Sequence, residues 1–270
     1  MIRGFKRLLM LGILGMHCFL PLASQAETNE GPEQPQQQGV SDLAWQARIT
    51  HPGVDFVIRI HYPQGLHPQV DSLMGQAARE EFSGTLNEYM KLGYEVGEEA
   101  REKISAEAPR GQKFNADTYL TPAGSYFHTR TYEVFRPSAD IASIWYTLSE
   151  YTGGAHGNLT FDAVTYNIRE GRAIKLADIF ADEAKAKKGL LPLVVQGVRN
   201  QKSPDGMQME YDADAMDLNI KRMLVTPEGM KVVYAPYEMG SYVEGPFVID
   251  IPKEQLIRLG ARQALWTVQP

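Results

Sequence analysis

Apolar and polar side chains alternate strictly on both sides of the His-Pro-Gly tripeptide at positions 51–53. The apolar positions are Trp45, Ala47 and Ile49 before the tripeptide and Phe56, Ile58, Ile60 and Tyr62 after it. A period of two places successive side chains on opposite faces of a strand, and Pro and Gly between two such runs favour a turn. The sequence therefore predicts a β-hairpin with one buried face. The folded part of the chain then begins with two strands of a sheet.

The rest of the chain changes between helical and extended patterns. Apolar residues between Val70 and Met90 recur at steps of three and four, which predicts a helix with Pro68 in its first turn. The predicted later strands are residues 126–135, 141–148, 159–168, 220–226, 230–234 and 246–251. The predicted later helices lie at 176–180, at 190–198 with Pro192 in the opening turn, and just before Gly260. Runs of strands broken by a few helices predict an α+β fold with mainly antiparallel sheets.

Residues 1–26 are organised like a secretory signal peptide. Three basic residues precede an apolar run, and Ser24-Gln25-Ala26 forms a small-x-small site at its end. This pattern predicts export, cleavage after Ala26, and a periplasmic or secreted mature protein. An uncleaved anchor is the alternative, but the run is shorter than the ~20 residues of a span and Pro21 interrupts it. A lipoprotein signal at Cys18 is a second alternative, which His17 in the preceding position disfavours.

Cleavage would change the charge of the chain and its cysteine content. The whole chain has 27 Lys and Arg against 33 Asp and Glu, and loss of the three leader cations changes the net charge from -6 to -9. Such an acidic chain is a poor candidate for binding nucleic acid. Cys18 is the single cysteine, so the mature chain can build neither a disulfide nor a Cys-based zinc site. Residues 27–41, rich in Glu, Pro and Gln, predict a disordered linker.

Familiar catalytic and metal-binding signatures are missing from the sequence. It contains no G-x-S-x-G, G-x-x-x-x-G-K-[ST], H-E-x-x-H or G-x-G-x-x-G motif. Asp212, Asp214 and Asp217 lack the continuation that a calcium loop requires, which favours a solvated acidic segment. We therefore predict no catalytic residue, no metal and no cofactor.

The segment Tyr-Thr-Gly-Gly-Ala-His-Gly-Asn at 151–158 is the most unusual local feature. Its glycines permit positive φ angles and close approach of another group. One interpretation makes this an exposed binding loop that uses Gly153, Gly154, His156 and Asn158. The other makes it a tight connection between strands, with the His156 ring hydrogen-bonded to backbone.

A second segment, 234–246, combines three tyrosines and two carboxylates with Gly and Pro. Tyrosine is common in recognition surfaces because it offers a large contact area at low entropic cost. The candidate binding residues are Tyr237, Glu238, Tyr242 and Glu244, and capping of a sheet end is the alternative role. If they bind a partner, we expect both tyrosine rings to be partly exposed on the side of the His156 loop.

These two segments together resemble a known family. The first is followed by a strand, a Gly turn and the helix KLADIF, and residues 226–256 read TPEGMKVVYAPYEMGSYVEGPFVIDIPKEQL. The combination resembles the paired extracytoplasmic domains of unknown function in the RsiV anti-sigma factor and the PdaC peptidoglycan deacetylase. The resemblance implies an N-terminal α+β domain at 43–150 and a C-terminal RsiV-like domain at 151–270, without catalytic residues to carry over. In RsiV this region receives lysozyme as a signal, and we expect the present chain to be the module alone.

Two functional hypotheses follow, and a purely structural envelope protein with no defined ligand is a third alternative. The first is an exported, non-catalytic binding or sensing module of the cell envelope, whose partner is a lysozyme-like protein or peptidoglycan. The second is a cell-wall hydrolase or deacetylase that uses His156 with Glu238 or Glu244 as acid and base. The distance from His156 to either glutamate discriminates between them.

Overall fold

The computed structural model describes residues 17–18, 22–23, 39–51, 54–107, 125–202, 206–212 and 216–267. The predicted signal peptide and the predicted linker therefore lie almost entirely outside the described residues. Within the described part, strands and four helices are mixed, and the sheets are mainly antiparallel. The predicted α+β class is confirmed.

The larger sheet contains the predicted hairpin. Its strands are β1 His17–Cys18, β2 Leu22–Ala23, β3 Ser41–His51, β4 Val54–Gln64, β5 Ser125–Phe135, β6 Ile141–Tyr151, β7 Asn158–Asn167 and β8 Arg172–Ala173. The strand order is β3-β4-β5-β6-β7-β8, and β1 and β2 both pair with β3. Every pair is antiparallel except β4 with β5, which are parallel.

Helix α1, Pro68–Glu107, connects the two parallel strands and covers the hairpin. A parallel connection requires a crossover, and a helix is its usual form. The helix buries Val70, Met74 and Ala78 against the inward-facing positions of β4, which include Phe56 and Ile58. Both β4 side chains are fully buried, as the alternation predicts.

A smaller antiparallel sheet follows in the last third of the chain. Its strands are β9 Met223–Thr226, β10 Gly229–Tyr234 and β11 Phe247–Pro252, in the order β11-β10-β9. The accompanying helices are α2 Leu176–Ile179, α3 Glu183–Asn200 and α4 Lys253–Arg258. Helix α3 buries Leu190, Val194 and Val198 in the core that it shares with β11. The face of this sheet that carries Leu224 and Val233 packs against Ala163 of the larger sheet.

A buried hydrogen-bond chain also joins the two sheets. The Ser143 hydroxyl donates to the Val225 carbonyl at 2.6 Å, and because its proton is then used, it accepts from the Thr165 hydroxyl at 2.8 Å. Ser143 and Thr165 are nearly inaccessible to water. This arrangement ties β6 and β7 of the larger sheet to β9 of the smaller one.

The structure corrects two boundaries predicted from the sequence. Pro192 lies in the interior of α3, because the helix begins at Glu183, where the Asp182 side chain caps the Lys185 N–H at 2.9 Å. The predicted strand at 220–226 is a strand only from Met223, since Ile220–Arg222 forms a 3₁₀ turn. The predicted domain boundary lies between residues 150 and 151, and the pairing of β6 with β7 continues the larger sheet across it. The division into two domains stays a prediction.

Candidate functional site

The β6–β7 connection, residues 152–157, is a compact loop built on glycine backbone conformations. Gly153 and Gly154 have φ values of 103° and 102°, which L side chains rarely adopt. A Cβ on Gly153 would lie 3.1 Å from the Tyr126 hydroxyl oxygen, whereas one on Gly154 would meet nothing within 4 Å. The Tyr151 hydroxyl donates to the Gly154 carbonyl at 3.0 Å and closes the loop. Both glycines therefore adopt the positive φ angles that the glycine-rich sequence permits.

His156 projects from this loop, and its protonation pattern follows from its two partners. Nδ1 lies 2.8 Å from the Gly157 carbonyl oxygen, which can only accept, so Nδ1 carries the proton of the neutral ring. Nε2 then accepts from the Tyr237 hydroxyl at 3.1 Å. The backbone contact matches the structural interpretation of this histidine, and the tyrosine contact shows that the ring also faces the second segment.

The β10–β11 connection brings two tyrosines against His156. The Tyr242 ring stacks on the imidazole with centroids 4.0 Å apart and an interplanar angle of 18°. The Tyr237 and Tyr242 centroids are 5.5 Å apart. Tyr237 is 59% exposed, and Tyr242 is half-buried. We call His156, Tyr237 and Tyr242 the aromatic triad, and their expected juxtaposition and exposure are confirmed.

Tyr237 has a strained backbone. Its φ of 69° is the one positive value at a non-glycine residue in the described part of the chain. A left-handed conformation is unfavourable for an L residue that carries a bulky side chain. The ring of this residue faces the His156 loop. Backbone outliers of this kind are common at functional sites.

The two glutamates of the same segment have different roles. Glu238 accepts from the Ala235 N–H at 2.6 Å and forms an ion pair with Arg222. Arg222 also binds Asp217 at 2.6 Å, so Glu238 braces the turn. Glu244 is half-buried next to Val243, which is 84% exposed beside the triad. In the described chain no hydrogen bond or ion pair joins either glutamate to His156.

The predicted site residue Asn158 and the acidic segment at 212–217 do not join the triad. Asn158 opens β7 opposite Glu150, and strand alternation places it on the face of the sheet that carries His128. Asp214 lies outside the described residues, and Asp217 is bound to Arg222. No group of three or more potential metal ligands occurs in the described segments.

A second polar cluster was not expected from the sequence. His128 Nε2 lies 3.0 Å from one carboxylate oxygen of Glu81 on α1, and Arg130 forms an ion pair with the other oxygen. The Arg130 guanidinium also lies 4.5 Å from the Tyr146 ring centroid. Burial raises the pKa of the Tyr146 hydroxyl far above its usual value. The sequence did contain a signal for this cluster, because the alternation along β5 places His128 and Arg130 on the buried face of the strand.

The C-terminal part of the chain is similar to a known protein family. Residues 177–254 match a family described as "Protein of unknown function (DUF3298)". This match contains α3, the smaller sheet and both triad tyrosines, but it ends short of the His156 loop on the N-terminal side. No curated protein matches the sequence significantly. None of the described helices is both long and apolar enough to cross a membrane.

Two solved structures are similar to this chain. A DUF3298-family member from Bacteroides fragilis aligns with a TM-score of 0.53 and 19% identity, over 83% of this chain and 94% of its own. A DUF3298-family protein from Pseudomonas aeruginosa aligns with a TM-score of 0.49 and 16% identity, over 88% of this chain and 100% of its own. At this identity, the similarity to the Bacteroides protein shows the fold alone.

Proposed function

We propose that this protein is an exported, non-catalytic binding module of the cell envelope and that the aromatic triad anchors its partner. One observation carries the proposal: two loops that are distant in sequence meet at an exposed cluster of stacked rings. Exposed tyrosines contribute to binding because a partner can still remove their surface from water. The RsiV-like resemblance of both loops supports the same assignment.

The shape of the surface favours a protein partner with a cleft. Tyr237 and Val243 are among the most exposed large apolar residues of the described chain. Because the rings of the triad stack on one another, they offer edges and outer faces rather than an open platform. A concave partner surface would bury such a feature most completely.

The charge of the chain favours a cationic partner. Removal of the predicted leader leaves a net charge of -9, which would attract a basic protein over long range. Lysozyme-like enzymes are basic and carry a substrate cleft. A lysozyme-like protein is therefore the proposed partner, and peptidoglycan is the second candidate that the experiment must separate.

The test is a titration of residues 27–270 with lysozyme at low salt, repeated as the salt concentration rises. We expect binding that weakens with salt and that falls at least tenfold in a Tyr237→Ala, Tyr242→Ala double variant. Tyr94→Ala is the matched control, because Tyr94 is 64% exposed on α1 and should not affect binding. Retention on purified cell walls without binding to lysozyme would assign peptidoglycan as the partner. Failure of both assays contradicts the proposal.

The hydrolase or deacetylase hypothesis has no comparable support. Both ring nitrogens of His156 already have partners, Gly157 and Tyr237. Glu238 forms an ion pair with Arg222 and, among the described residues, has no hydrogen bond or ion pair with His156, so it is not placed to act as an acid or base with this histidine. Turnover of cell-wall substrate that His156→Ala abolishes would restore the hypothesis.

A further inference from the structure

A chain of polar side chains leads from α1 to the base of the His156 loop. Glu81 on α1 is 3.0 Å from His128 Nε2, and His128 Nδ1 is 3.9 Å from a carboxylate oxygen of Glu150 on β6. Glu150 is the penultimate residue of β6, and only Tyr151 separates it from the loop. Its carbonyl oxygen lies 2.9 Å from where a Cβ on Gly157 would stand, so its backbone lies close to the far end of the loop as well.

The imidazole of His128 can serve only one of these carboxylates when it is neutral. An ionised carboxylate only accepts, so the single N–H of the neutral ring is on Nε2 and donates to Glu81. Nδ1 then presents a lone pair to Glu150, at a distance longer than a hydrogen bond. A protonated ring has an N–H on each nitrogen and can donate to both.

The charged groups that face His128 come from three elements. Its side chain is 10% exposed and is faced by Glu81 from α1, Glu150 from β6 and Arg130 from its own strand. Arg130 compensates one carboxylate, and an imidazolium would compensate the other. Tyr89 of α1 is the further titratable group beside Glu150, and burial and that carboxylate raise the pKa of its hydroxyl, so it stays neutral.

We propose that His128 is a proton-operated positioning residue for the loop that carries the triad. Proton uptake supplies an Nδ1–H for Glu150, shortens that contact and tightens the base of the loop. The arrangement of His156 against Tyr237 and Tyr242 then depends on pH through a histidine that belongs to neither recognition segment. The inference rests on the proposed function for the role of the triad, but its test requires no ligand.

The experiment is an NMR titration of the full mature chain, following the imidazole nitrogens together with the backbone amides of Gly153 and Gly154. In the native protein we expect these amides to shift in two steps, one at the midpoint of His128 and one at that of His156. His128→Gln keeps a donor for Glu81 and should remove the first step alone. His61→Gln is the matched control, because His61 pairs with Asp42 at 2.9 Å and should leave both steps in place.

A second variant keeps the test decisive if His128→Gln does not fold. Glu150 is 37% exposed, and Glu150→Gln should remove the His128 step from the loop amides while His128 itself still titrates. Loop amides that follow only His156 in the native protein would overturn the inference. An unchanged two-step response in Glu150→Gln would also overturn it. Loss of lysozyme binding in the tyrosine variant is measured separately, so the two proposals fail independently.

Discussion

The Tyr237 hydroxyl lies 3.1 Å from His156 Nε2, although 81 positions separate the two residues. The contact exists because each residue occupies a connection of a different sheet and the two sheets pack together. The Ser143 hydroxyl and the Val225 carbonyl form a buried polar link between those sheets. The geometry of the aromatic triad therefore depends on how the two sheets pack. A substitution between the sheets should alter the contacts within the triad.

The backbone strain at Tyr237 predicts an unusual order of stability. Tyr237→Ala and Tyr237→Gly both remove the ring and its contact with His156, but only Gly adopts a φ of 69° without steric cost. We expect the Gly variant to be more stable than the Ala variant by about 1 kcal/mol. Urea denaturation of the two variants measures this difference. Equal stability, or a more stable Ala variant, would contradict the strained conformation.

The two loop glycines should differ from an ordinary helical glycine. Gly153→Ala should destabilise by more than about 1 kcal/mol, because it combines a positive φ with a contact to the Tyr126 hydroxyl. Gly154→Ala should cost less, since open space surrounds that position. Gly84 in α1 has an ordinary φ and open space, so Gly84→Ala should stabilise by about 0.5–1 kcal/mol. Denaturant midpoints of the three variants test this order, and a stabilising Gly153→Ala would disprove it.

The buried hydroxyl that links the sheets should matter for global stability. Ser143→Ala leaves the Val225 carbonyl and the Thr165 hydroxyl without their common partner, at an expected cost of about 1–3 kcal/mol. Ser149→Ala on the same strand is the control, because Ser149 is only half-buried and the change should cost little. Thermal unfolding of both variants is the measurement. A similar melting temperature for both would show that the link contributes nothing.

Asp178 should make the fold sensitive to acid. The Arg172 guanidinium binds both carboxylate oxygens at 2.8 and 2.9 Å and, together with the Lys175 N–H, lowers the pKa of Asp178 from 3.8 to about 2. A depressed pKa in the folded state contributes stability that is present above about pH 4 and is lost as the pH falls through about 2. Since the pair is partly exposed, we expect about 1 kcal/mol.

The variant Asp178→Asn tests this contribution. It should be less stable than the native protein at pH 7, and the difference should shrink as the pH falls from 4 to 2, because the native carboxyl then becomes neutral too. Urea unfolding at a series of pH values measures the difference. A constant gap across that range would show that the Arg172 pair does not shift the pKa of this carboxyl.

Local patterns were sufficient to predict most of the architecture. The two-residue period around positions 51–53 predicted β3 and β4, because a half-buried strand must alternate. The start of α1 at Pro68 followed from proline's preference for a first turn. The Pro192 prediction was wrong, because Asp182 capped α3 well before the first apolar residues of the periodic pattern.

The candidate residues of the triad were also visible in the sequence, because Gly-rich and Tyr-rich connections are unusual in composition. Their contact was decided by the tertiary structure, since no local rule relates a β6–β7 loop to a β10–β11 loop. The tertiary structure also determines the ion pair of Glu238, because its partner Arg222 belongs to a preceding 3₁₀ turn. The Glu81–His128 pair spans 47 positions and forms only when α1 crosses over the sheet. Sequence periodicity determines which side chains face inward, whereas the packing of elements determines which of them meet.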